Sequence, residues 1–162
     1  MWTYLNIVLI LLLNFLCSQC RNNTSNNQIK EQQISFIQEG TLTLYNHENQ
    51  KIATFNIEIA DTPYERETGL MYRNSLEEQN GMLFIFDNDQ MRNFYMKNTL
   101  IPLDLLFIDQ NFEILHLYSS AEPYSTESIS SQFPVKYVFE ISGGLSSKLG
   151  IQKGMKIKYT KS

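Results

Sequence analysis

The chain has 162 residues, a formal net charge of -4, 43% hydrophobic and 12% aromatic residues, and only 19% charged residues. That supports one packed domain with an extension, argues against wholesale disorder, and gives nothing that points to nucleic acid, which would want a basic patch. Its two cysteines, Cys17 and Cys20, both lie near the N-terminus, which excludes a disulfide framework and a catalytic cysteine in the rest of the chain.

Leu5 to Leu16 is apolar except for Asn6 and Asn14, and Ile7 to Leu13 is unbroken. A membrane-spanning helix needs roughly 20 apolar residues; this run has instead the length of a signal-peptide hydrophobic region. The Cys-x-x-Cys spacing at its end would need a folded context to do redox or metal chemistry. Leu16-Cys17-Ser18-Gln19-Cys20 resembles the lipobox of bacterial lipoproteins, in which the chain is cut before the cysteine that receives lipid. The resemblance implies a signal peptide over 1–19, lipid on Cys20 with Cys17 as the fallback, export, and attachment to a cell-envelope membrane. Gln19 is larger than the usual residue before the cut, and no Lys or Arg precedes the apolar run. An uncleaved anchor and an unlipidated cleaved signal remain alternatives. Stable attachment takes two or more acyl chains. Residues 20–40, rich in Asn and Gln, read as a polar linker.

A single β-rich domain is expected over 41–160. Thr41-Leu-Thr-Leu-Tyr45 alternates with period two, Asn46 to Asn49 is a turn, and Ile52 to Ile59 completes a hairpin. Thr62-Pro63-Tyr64-Glu65 is a capping box with proline at the first helical position, opening a helix to about Tyr72 or Arg73. The runs 81–86, 94–96, 103–108 and 112–118 are short and β-rich; several are apolar on both faces and read as central strands or barrel walls. A loop is expected over 119–133, a strand over 135–141, a short helix after Gly143-Gly144 ending at Gly150, and a last strand over 155–159.

One ordered set of motifs runs through the domain: Ala60-Asp-Thr62, Glu65-Arg66, Gly69-Leu-Met-Tyr-Arg73, Gly81-Met-Leu-Phe84, Phe94-Tyr-Met-Lys-Asn-Thr99, Ile101-Pro-Leu-Asp104, Phe107-Ile-Asp109, Val138-Phe-Glu140, and Gly150 with Gly154. The set resembles the domain-of-unknown-function family 192, small and often exported bacterial and archaeal domains, over roughly 41 to 160. The resemblance implies a compact α+β domain, mostly β, with a barrel-like or strongly curved sheet, one main helix and a short C-terminal helix. It implies no activity. Tyr95 stands where the family usually has tryptophan, a tolerable exchange of amphipathic aromatics. Met155 stands where an aspartate is common, so an acid there is not required in this chain.

The candidate ligand-binding residues are Arg66, Arg73, Lys97, Asn98, Thr99, Asp104 and Glu140. Arg66 and Arg73 would share a helix face about 10 Å apart, with Gly69 leaving a gap between two guanidinium forks suited to an anion; solvation is the bland alternative. Lys97-Asn98-Thr99 ends a strand, where function often sits, although Asn and Thr also serve turns. Asp104 and Glu140 interrupt apolar runs, and a buried carboxylate is costly unless partnered. At least one is therefore expected to meet Arg66, Arg73 or Lys97. Met71, Met82, Met91 and Met96 could suggest thioether copper ligation, but three of them alternate with core residues, which favours packing. His47 and His116 are isolated. No metal site, cofactor motif, phosphate loop or activated serine is read, and no catalytic residue is assigned. The leading expectation is a non-catalytic envelope domain for a small polar or anionic ligand. The alternatives are an interaction module for another envelope protein and an enzyme using Asp104 or Glu140.

Overall fold

The computed structural model describes residues 34–162. The expected signal run, Cys17, Cys20 and most of the linker lie outside the described residues. The end of the expected linker, 34–39, is bound to the domain. Ile37 N–H donates to Glu58 Oε1 at 3.0 Å, Glu39 N–H to Ile57 O at 2.8 Å, and Ile59 N–H to Glu39 Oε2 at 2.7 Å.

Strands β1 (Gly40–Tyr45) and β2 (Lys51–Ala60) form the expected hairpin. Helix α1 (Pro63–Thr68) carries the capping box: Thr62 Oγ1 accepts from Glu65 N–H, and Glu65 reaches back to Thr62 N–H. α1 then crosses over, so that β3 (Asn80–Gln90) lies parallel to β2, as a strand–helix–strand connection allows. Next come β4 (Asn93–Phe94), β5 (Leu103–Ile108), β6 (Ile114–Ala121), β7 (Ile129–Ser130), β8 (Val135–Ser142), α2 (Leu145–Lys148) and β9 (Lys156–Lys161). The main sheet runs β6-β5-β8-β3-β2-β1-β9, and β4 pairs with β7 in a small ribbon. Among the described residues the architecture is mostly β with two short helices. The ladder does not close into a barrel: its end strands β6 and β9 do not pair, and only an isolated bridge between Glu113 and Lys156 joins the two ends.

The sheet buries apolar side chains on both faces. One core joins Leu42, Phe55, Ile57, Leu83, Leu106, Phe139 and Ile141. The other joins Leu70, Met82, Phe84, Met96, Leu105, Phe107 and Val138. β5 is buried at all six positions, which explains why its sequence lacks alternation.

α1 is shorter than the expected helix. It stops at Gly69, whose φ of +48° and ψ of -133° leave the helical region. A Cβ there would stand 2.9 Å from Phe84 Cζ, so glycine is needed both for the turn and for the close approach. Arg73 therefore does not share a helix face with Arg66. Within the stretch 119–133, read as a loop, β6 extends to Ala121 and β7 forms.

Candidate functional site

A cavity of about 460 Å³ opens on the second core face, between α1, the end of β3, the β4 region and β8. Its apolar walls are Leu70, Phe84, Phe86 and Phe94, with Met91 and Tyr95 exposed at its edge. Phe94 meets Phe84 edge-on at 5.2 Å and Phe86 at 6.5 Å, so the walls are an interlocked aromatic set.

Two arginines share one phenyl ring at this cavity. Arg92 lies 4.0 Å and Arg66 5.4 Å from the Phe86 centroid. Neither guanidinium forms an ion pair among the described residues. Arg66 Nη1 donates to Asp61 O and, at 2.9 Å, to Ile85 O, which fixes α1 to the adjoining strands. Arg92 Nη2 donates to Asn88 O and Oδ1, while its Nε is buried with no partner. Loss of solvation, then the Arg66 charge, pushes the Arg92 guanidinium below its ordinary pKa, against the pull of Asp87 and Asp89. Two like charges thus share one ring without an acid in ion-pair contact among the described residues, while Glu67 lines the same cavity and Asp87 and Asp89 act on Arg92 through space.

Glu140 also lines the cavity and is 5% exposed. Across the sheet it faces Met82 on β3 and Leu105 on β5. Burial alone pushes its carboxyl up to about 8; among the described residues no cation and no hydrogen bond offsets the cost of charging it. Thr99, 4% exposed, is the other buried polar residue in the lining.

The remaining expected residues separate from this cavity. Asp104, 1% exposed, is the receptor for three backbone N–H groups: Ser120 at 2.7 Å, Gly144 at 2.9 Å and Ser146 at 2.7 Å. It ties β5 to the end of β6 and the first turn of α2, as an N-capping carboxylate supplied from another element. Neither Asp104 nor Glu140 forms an ion pair with Arg66, Arg73 or Lys97: backbone amides satisfy the first acid, and the second lies among apolar neighbours without a cation, so burial raises its carboxyl. Arg73 instead pairs with Glu58 at 2.8 Å, both almost fully buried, beneath the 34–39 segment that Glu58 also holds. Lys97 is exposed. Asn98 and Thr99 offer their carbonyls to the N–H groups of Tyr72 (2.9 Å) and Tyr124 (3.1 Å), and both tyrosines sit at positive φ, 62° and 63°.

Arg92 and Glu58 went unread in the sequence. Arg92 lies in Asp87-Asn-Asp-Gln-Met-Arg-Asn93, which has the composition of a solvated turn. Glu58 follows strand alternation and reads as a solvent-facing residue. The run of phenylalanines at 84, 86 and 94 was the available signal for an aromatic wall.

The family DUF192, described as "Uncharacterized ACR", matches residues 44–159. The chain belongs to this family. Among solved structures, the chain is similar to a Sinorhizobium meliloti protein named only provisionally as a transcription regulator. The TM-score is 0.72 at 32% identity, covering 77% of this chain and 98% of that one. A protein of unknown function from Novosphingobium aromaticivorans matches with a TM-score of 0.69 at 33% identity, covering 73% and 83%. No curated protein matches the chain. The DUF192 domain here accounts for the cavity in full, since every lining residue falls within the matched span.

Proposed function

We propose that this protein is an exported, lipid-anchored component of a bacterial cell envelope whose DUF192 domain binds a small molecule with an anionic head and an apolar, aromatic-compatible body. The observation that carries the binding reading is the pair of arginines on Phe86, neither in an ion pair among the described residues, beside a cavity of about 460 Å³, a volume within the range of small-molecule sites. Arg92 supplies the anion contact. Arg66, already anchored to two backbone carbonyls, supplies charge and positions the wall. The aromatic side chains take the body of the ligand. The N-terminal apolar run and the Cys17–Cys20 segment support export and lipid attachment.

A catalytic reading retains Glu140 alone, because Asp104 has its carboxylate committed to three amides. An interaction reading rests on Tyr64, Tyr72 and Tyr124, which are 75%, 58% and 62% exposed, more than their aromatic area needs for packing.

Ligand-observed NMR with aryl carboxylates and their uncharged amides tests the binding reading. The carboxylates should show saturation transfer that Arg92→Met removes, whereas the amides should show little. Equal transfer from both, unaffected by Arg92→Met, would reject an anion site. Mass spectrometry of the mature N-terminus tests the anchor: a diacylated or triacylated Cys20 is expected, and an unmodified Met1 would overturn it.

A further inference from the structure

Glu140 is the feature that the anion-binding reading leaves unexplained. It stands on a central strand between Met82 and Leu105, buried, with its carboxyl on the cavity that holds the aromatic walls. A carboxyl in that position would be replaced readily by leucine or methionine if only packing were required, since an unpartnered buried polar group is destabilising.

We propose that Glu140 is a recognition group that donates a hydrogen bond from its protonated carboxyl to an acceptor oxygen on the buried part of the ligand, so that the site selects keto acids, or acids with an equivalent carbonyl, over their saturated analogues. This rests on the reading of the cavity as an anion site, and adds a second polar requirement to it. The donor role follows from the surroundings. Arg66 and Glu67 reach the cavity from α1, Arg92 from the turn after β3, and Tyr95 from the turn after β4. The facing positions on β3 and β5 are apolar, and the Asp104 carboxylate is held by amides of the β6 and α2 region. None of these charged groups bonds to Glu140, so burial alone acts on its carboxyl, which is raised to about 8. At neutral pH it carries a proton and offers one donor. Above that range it becomes a carboxylate that repels a carbonyl oxygen. The arginines hold the ligand's charge at the half-buried edge, while Glu140 reads what lies deeper; a buried hydrogen-bond donor discriminates against a ligand lacking the matching acceptor.

Two matched pairs of probes isolate this contact: benzoylpropionate against phenylbutyrate, and para-acetylbenzoate against para-ethylbenzoate. Within each pair a carbonyl replaces a methylene, at different distances from the carboxylate. Titration calorimetry on the full-length protein at about pH 6 should show at least one keto acid binding about tenfold more tightly than its partner. At about pH 9.5 that preference should vanish, with the saturated partner correcting for any change at the arginines. In Glu140→Gln, whose amide still donates, the preference should persist and become independent of pH. In Glu140→Leu it should be lost at both pH values. Equal affinity within both pairs at pH 6, or a preference that survives in Glu140→Leu, overturns the inference while leaving the anion site standing. If none of the four acids binds, the cavity reading falls and this inference falls with it.

Discussion

Replacing Glu140 with glutamine changes the charge of one buried group and almost nothing else, so the effect on stability can be worked out from the structure. The folded-state carboxyl is raised to about 8 from an ordinary 4.5, with burial as the cause. A group whose folded pKa is raised keeps a proton in the folded state that the unfolded chain has already released. Between the two values the folded state binds more protons, and stability falls as pH rises, by up to about 1.4 kcal/mol per unit. The loss begins near pH 4.5 and levels off above pH 8. At neutral pH the wild-type domain has therefore given up roughly 3 kcal/mol relative to its stability in mild acid. Glutamine has the same shape and no charge to lose. Urea unfolding, followed by tyrosine fluorescence from about pH 4.5 to pH 9 in steps, should show the two proteins nearly equal at the acid end. The variant should then become progressively more stable, by a few kcal/mol at the alkaline end. A difference that stays flat across this range, or a wild type that gains on the variant as pH rises, would refute the account of Glu140 as an unpartnered acid in an apolar wall.

Three further outcomes follow from the other polar groups and the helix terminus. Asp104→Ala should destabilise the domain by about 3 kcal/mol or more, measured by chemical denaturation, because three backbone N–H groups lose their acceptor; a change below about 0.5 kcal/mol would mean that water replaces the carboxylate at no cost. Glu58→Ala should cost about 3–5 kcal/mol by leaving Arg73 buried and unpaired, and amide exchange at Ile37, whose N–H donates to Glu58, should quicken. Gly69→Ala should cost about 1–3 kcal/mol, since φ of +48° is strained for alanine and the added methyl meets Phe84; unchanged melting would contradict the close approach of that turn to the aromatic wall.

Much of the local structure is legible in the sequence because local rules govern it. Alternation marks β1 and β2, the capping box marks the start of α1, and uniform apolarity marks β5 as buried on both faces. The end of α1 is not legible in the same way. Arg66, Gly69 and Arg73 fit one helical stripe, and only the approach of Phe84 makes the glycine a terminus rather than a gap. The polar residues divide by the kind of partner they have. Asp104 and Glu140 stand out as buried acids from their apolar neighbours alone. Their fates do not, because Asp104 is satisfied by amides 16 to 42 residues away in sequence, and backbone donors leave no residue-type signature. Arg92 is hidden by its polar neighbourhood until the turn after β3 folds it over Phe86. The candidate site thus shares Arg66, Thr99 and Glu140 with the sequence-based set, while Arg73 and Asp104 serve the scaffold.

The most direct test of the cavity as an anion site is the affinity of phenylbutyrate for the wild-type domain and for Arg92→Met, by titration calorimetry near neutral pH and low salt. Methionine keeps an apolar contact over Phe86 and removes only the charge and the donors. The wild type should bind with measurable heat, and the variant, with an unchanged melting temperature, should bind about 10- to 100-fold more weakly, the loss of one charge-assisted hydrogen bond. Equal affinity of the two proteins, or no binding to either, would contradict the account.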